Sequence, residues 1–164
     1  MKMSLENLLK INKLQTHHPS RESVQRLLQA AARNIEDARV AAISGETRFD
    51  AAYKCIMQCA MVALWANGYR TSSSQPGHHQ TAIQTLPITI ELDQSTVIVL
   101  DALRKQRNIN DYEGDPISEQ AVAECIKQAE QLYKAVTAWL AANRLICDES
   151  ETKGTLPVAS LLPG

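Results

Sequence analysis

Apolar side chains recur along this chain at helical rather than alternating intervals. After Ser20, a good N-cap, the stripe Val24, Leu27, Leu28, Ala31, Ile35, Ala38 and Ala42 keeps the period of about 3.6 residues. It ends at Ser44 and Gly45, read as a C-terminal stop, and predicts an amphipathic helix over 20–43. A second helix is expected from about Thr47 to Asn67. Its latter half, Cys55 to Ala66, is apolar on nearly every side, which places it at the centre of a bundle. "NGYRTSSSQPGHHQ" then gathers Gly, Pro and serines into the longest loop signal of the chain. A shorter helix, His79 to Leu86, stops before Pro87 because the residue preceding proline is pushed out of the α region. "PITIEL" is the only strand-like alternation and is too isolated to build a sheet.

Asp93 or Ser95 opens the next helix, 94–107, with Thr96, Leu100 and Leu103 on one face and Arg107 continuing that stripe. "NINDYEG" reads as a turn. Asp115 as N-cap and Pro116 in the first turn then open a last helix over 116–144, whose buried face carries Val122, Cys125, Ile126, Ala129, Leu132, Tyr133, Val136 and Trp139. The expected fold is all-α, an antiparallel up-and-down bundle of four to five helices. Residues 1–19 form an N-terminal helix or connector, 20–144 the bundle domain and 145–164 a tail in which periodicity is lost.

At 164 residues the chain accommodates one domain with a sizeable core. Lys and Arg total 17 against 18 Asp and Glu, so no global positive excess exists to hold a polyanion by counterion release, and nucleic-acid contact would have to be local. The longest apolar run, "CIMQCAMVALWA", is interrupted by Gln58 and is too short to cross a bilayer. "MKMSLENLLKINKL" lacks the apolar block and cleavage site of a signal peptide. The expectation is a cytoplasmic protein without a membrane partner, its four cysteines reduced.

The densest chemistry lies in "RKQRNINDYEGD", Arg104 to Asp115. Arg107, on an apolar stripe, carries a permanent charge and five donors toward the core or an interface, a costly placement unless a carboxylate or phosphate meets it. From residue chemistry alone the simpler reading is a structural pair with Asp111, Asp115 or an acid on a neighbouring helix. His78 and His79 are adjacent at a helix start, where side chains diverge and cannot easily share a metal. They read as loop or capping residues, with entry of one of them into a pocket as the alternative. Cys55 and Cys59 share a helical face, but no His or third Cys completes a metal set, so they read as buried small hydrophobes. His17 and His18 fall in the connector and are read as solvated. Tyr53, Trp65, Tyr69, Tyr133 and Trp139 are read as core or interface rather than as a base-stacking platform. No metal and no cofactor is expected.

A long-helix pair, a loop, a shorter helix ending in "RN" and a final long helix together resemble the HEPN superfamily of small helical bundles, over roughly Ser20 to Asn143. Active members carry an arginine and a polar residue followed by a histidine four to six positions on. Here "RNINDY" supplies Arg107 and Asn108, but Tyr112 stands where the histidine would be, and no histidine follows His79. In the family's metal-independent RNA cleavage the arginine holds the scissile phosphate while the histidine moves protons. A tyrosine, with a pKa near 10, donates hydrogen bonds but rarely serves as a base. The resemblance therefore implies a phosphate pocket formed by Arg107, Asn108 and Tyr112, with Arg104, His78 and His79 as further contributors and no catalytic residue assigned.

The function so implied is a nucleotide- or RNA-binding or regulatory module rather than an efficient nuclease. The alternatives are a metal-independent endoribonuclease of toxin–antitoxin type, using His78, His79 or a perturbed Tyr112, and a structural scaffold. The resemblance also implies a homodimer, and a nucleotidyltransferase or antitoxin as partner. The apolar central helix points to a dimer too, since it has more apolar surface than one short bundle easily hides.

Overall fold

The elements run α1 (Leu5–Lys10), β1 (Leu14–Thr16), α2 (Arg21–Ala38), α3 (Gly45–Ala66), β2 (Tyr69–Thr71), α4 (His78–Gln84), α5 (Leu86–Thr89), α6 (Gln94–Glu113) and α7 (Glu119–Asn143) in a computed structural model that describes residues 3–143. The chain is thus mostly helical, as the apolar period requires. Among the described residues the one sheet is a two-stranded antiparallel ribbon that pairs Leu14 with Thr71 and Thr16 with Tyr69. No helix of the described residues is long and apolar enough to cross a membrane.

α3 is the axis. Phe49, Ala52, Ile56, Cys59, Val62 and Leu64 are fully buried, and α2, α7, α4, α5, α6 and β2 all pack against it. Most of the apolar circumference of this helix is therefore covered within one chain, with Met61 and Trp65 remaining partly exposed. The start of α3 lies beside the end of α2, where Arg48 Nε donates to Ala38 O at 2.7 Å, and Asn34 Nδ2 donates to Gln58 Oε1 further along. α7 follows α3 in the same sense, with the Cys125 thiol against Phe49 O and the Cys55 thiol against Ala129 O. The end of α6 returns to the start of α3, where Arg107 meets Asp50.

Several boundaries depart from the sequence expectation, each for a local reason. α2 ends at Ala38 instead of continuing to 43, because the Arg48 guanidinium takes the Ala38 carbonyl and the chain reverses within six residues. Ala42 is exposed, and Ser44 is not a stop but the N-cap of α3, its hydroxyl accepting from Thr47 N. "PITIEL" is not a strand. Pro87 is tolerated in the first turn of the short helix α5, where its missing N–H costs nothing. α7 begins at Glu119, not 116, because Ser118 Oγ accepts from Ala121 N and takes the capping role expected of Asp115.

Within residues 3–19 the chain forms the helix α1, Leu8 and Leu14 belong to the common core, and β1 is tied to β2. Residue 144 and the tail 145–164, with the fourth cysteine, lie outside the described residues.

The departure with most consequence is that "NINDYEG" is not a turn. α6 runs on to Glu113 and stops where Gly114 adopts φ 69 and its N–H bonds to Asn110 O. Asn and Asp are only weakly unfavourable in helices, and the (i, i+4) pairs Gln106–Asn110 and Arg107–Asp111 offset part of that cost.

Candidate functional site

With α6 continuous, residues 104, 107 and 111 share one face, while relative to Arg107 residue 108 lies about 100° and residue 112 about 140° round the helix at about 100° per residue. Asn108 is exposed and Tyr112 is 92% exposed. The expectation that a turn folds Tyr112 back over Arg107 is corrected: five positions along a helix direct the two side chains apart. The phenol contacts water, so Tyr112→Phe is expected to change stability by less than about 0.5 kcal/mol, as thermal unfolding would show.

What meets Arg107 is Tyr53, three residues after Asp50 on the same face of α3. The Arg107 guanidinium carbon lies 5.1 Å from the centroid of the Tyr53 ring, within cation–π range. Its nearest carboxylates stand off, Asp50 at 3.7 Å from Nε and Asp111 at 3.9 Å from Nη2, longer than hydrogen bonds. Nε is buried and makes no hydrogen bond. Arg107 is therefore positioned by stacking while its donors remain largely uncommitted. Arg104, one turn earlier, is partly buried and donates from Nε to Asp101 Oδ1 at 2.8 Å. Burial raises the Asp101 pKa, but the Arg104 bond and charge and Lys105 outweigh it and leave the carboxyl below its usual range. Asp50 moves the other way, since partial desolvation and the carboxylates of Asp111 and Glu46 outweigh the attraction of Arg107.

His79 completes the cluster. Gly77, at φ 78, turns the chain into α4, and the His79 ring comes to rest with Nδ1 3.2 Å from the Tyr53 hydroxyl. Burial pushes the Tyr53 pKa to about 12 despite Arg107 and Arg104, so the phenol keeps its proton, and which partner donates follows the imidazole tautomer. The His79 pKa is lowered by burial first and then by His78, Arg107 and Arg104, which favours the neutral imidazole. The His78 ring stands edge-on to it, with centroids 4.6 Å apart.

A folded-state pKa below the unfolded one means that the unfolded chain binds more protons as pH falls. The stability contributed by His79 is therefore complete above about pH 6.5 and is lost on acidification below it. His17, lowered by burial, Arg70 and His18, adds in the same direction. Thermal midpoints are expected to fall as the pH drops below about 6.5, and less steeply in His79→Gln. An equal slope in that variant would remove His79 as the source.

No protein-family model, curated protein or solved structure matched this chain. The site must be read from its own geometry.

Of the six residues singled out in the sequence, Arg104, Arg107, His78 and His79 converge, while Asn108 and Tyr112 stay outside. Tyr53 and Asp50 were not foreseen, because only the packing of α6 on α3 brings them beneath Arg107. The available signal was weak: Asp50 and Tyr53 stand three apart in the more polar first half of α3, among Glu46, Arg48 and Lys54. Cys55 and Cys59 are buried with their sulfurs 3.9 Å apart, consistent with small core hydrophobes. Among the described residues no group of three or more His, Cys, Asp or Glu is placed to hold a metal. His17 is not simply solvated; it packs edge-on against Trp65, with centroids 4.9 Å apart.

Proposed function

We propose that the chain is a HEPN-like helical module that binds a phosphate-bearing ligand, a nucleotide or RNA, over the α6 face carrying Arg104 and Arg107. The observation that carries this reading is the state of Arg107: a guanidinium stacked on Tyr53, one-third exposed, with both neighbouring carboxylates beyond hydrogen-bond distance. A phosphate offers charge-assisted, bidentate acceptance to such a fork and can displace the loosely held carboxylates. The local clustering of Arg104, Arg107 and the two histidines also meets the requirement set by a near-neutral chain. The antiparallel α2–α3 pair, with α7 running in the sense of α3, supports the family likeness.

One observation favours a second reading, a metal-independent endoribonuclease. His79 is held through Tyr53 beside the arginine, and the tautomer whose Nδ1 donates to the phenol oxygen would leave Nε2 to accept a proton. RNA cleavage without metal, run beside nucleotide titrations on wild type, Arg107→Ala, Tyr112→Phe and the His78→Ala, His79→Ala double variant, separates the readings. Binding lost only with Arg107 supports the binding module; cleavage lost with the histidines makes the protein a nuclease. No binding by folded wild type would leave Arg107 a structural residue.

The same reading pairs two copies. Ile98, Ile109 and Tyr112 are exposed on α6 at spacings of eleven and three, one stripe facing away from the core. Sedimentation at micromolar concentration is expected to give a dimer, and Ile109→Glu to shift it toward monomer; a monomeric wild type would remove pairing from the proposal.

A further inference from the structure

A cavity of about 380 Å³ opens between α3, the start of α4 and the β1–β2 ribbon and meets the arginine cluster through the two histidines of its wall. Its floor is one face of α3: Met57, Met61, Leu64 and Trp65. Its rim is polar, with Arg70, Ser73, His78 and His79. His79 is the shared wall, since its ring lines the cavity while its Nδ1 is bonded to the tyrosine on which Arg107 stacks.

Three features narrow what can occupy it. The volume lies within the range of small-molecule sites and suits a ring with a short substituent. The floor combines thioethers, which adapt to flat aromatic faces, with an indole steadied by His17 on its edge. A wholly polar guest would dry this floor without compensation, and a wholly apolar one would leave the rim donors unmatched. The lining also contains no Asp or Glu, whereas Arg70 brings a positive charge whose one side-chain bond runs from Nε to Gln15 Oε1 at 3.1 Å. The cavity is matched to a planar heteroaromatic ring that carries an anion.

Resting on the phosphate-binding reading of Arg104 and Arg107, we infer that this cavity is the base subsite of the same ligand, which makes the ligand class a nucleotide: the ring lies over Met57, Met61 and Trp65, and the phosphate passes His79 toward the arginines. Ring nitrogens and exocyclic groups of the base find donors and acceptors in Ser73 and the His78 imidazole. Arg70 closes the outer rim over the ring face.

The test is calorimetric titration of the full chain with the four nucleoside 5′-monophosphates, the matching nucleosides and ribose 5-phosphate, which carries the phosphate without a base. At least one monophosphate is expected to bind tenfold or more tightly than ribose 5-phosphate. Ser73→Trp, a substitution at an exposed rim position that should leave folding intact, is expected to reduce that monophosphate to the ribose 5-phosphate level without changing ribose 5-phosphate itself. Arg107→Ala is expected to weaken both. Equal binding of monophosphates and ribose 5-phosphate, with Ser73→Trp silent, overturns the base subsite and leaves the phosphate reading standing. A nucleoside binding as tightly as its monophosphate, indifferent to Arg107→Ala, overturns the phosphate reading and with it the inference of a nucleotide.

Discussion

Replacing Arg107 with alanine is expected to weaken binding of a phosphate-bearing ligand by about 1.5–3 kcal/mol, one to two decades in Kd, while leaving the fold in place. The two effects separate because the contacts of this arginine within the protein are weak. Its carboxylate partners are half exposed and stand at 3.7 and 3.9 Å, and its stacking on Tyr53 is partly open to water. Pairs of this kind contribute about 1 kcal/mol or less to stability. A phosphate seated on the stacked guanidinium would accept hydrogen bonds that nothing in the protein makes. Arg107→Lys should recover only part of the loss, since an ammonium cannot reproduce the planar fork or its stacking. Titration and thermal unfolding on the same samples check both halves. A large drop in stability with unchanged binding would make Arg107 a pin between α6 and α3.

Phe49→Ala is expected to destabilise the protein by roughly 3–5 kcal/mol, measured by denaturant unfolding. Phe49 is fully buried near the start of α3, and its carbonyl faces the Cys125 thiol of α7. Removing the ring opens a cavity between helices that cannot close, because α3 is held by neighbours around its circumference. The loss takes a large share of the stability of an ordinary domain. Arg107 is held against Asp50 and Tyr53 of α3, so ligand affinity should fall in parallel with the folded fraction and not beyond it.

Helical character was legible in the sequence because a 3.6-residue apolar period over long segments admits no other regular structure. α3 was legible as the central helix because its latter half, Cys55 to Ala66, is apolar on nearly every side, and Ser20 as the α2 cap because it precedes the stripe. Ends were less legible. Ala41 and Ala42 favour helix, but the Arg48 side chain, ten residues after Ala38, terminates α2, and a sequence window does not reveal that contact. The "NINDYEG" segment misled because its residue types favour turns, whereas Gly114 alone, in the left-handed region, marks the stop. That single boundary decides the site. A turn would have gathered Arg107 and Tyr112; a helix sends Tyr112 to solvent and leaves Arg107 facing α3. Arg107 itself was legible from its place on the Leu100 and Leu103 stripe. Tyr53 was not, since an aromatic inside an apolar helix looks like core until the neighbouring helix supplies a cation. The ribbon escaped notice because three-residue strands carry too few positions to show alternation.

The most direct measurement of the phosphate site is the NMR titration of His79 in chloride and in sulfate at matched ionic strength, sulfate being a phosphate-like anion whose charge is constant over the titration. Burial and the charges of His78, Arg107 and Arg104 hold the His79 pKa below its ordinary value. An anion seated on the arginines offsets those positive charges and favours the imidazolium. The expected result is a His79 pKa that rises in sulfate in wild type and rises much less in Arg107→Ala. A His79 pKa identical in the two salts, in protein shown to be folded, would contradict an anion site at Arg107.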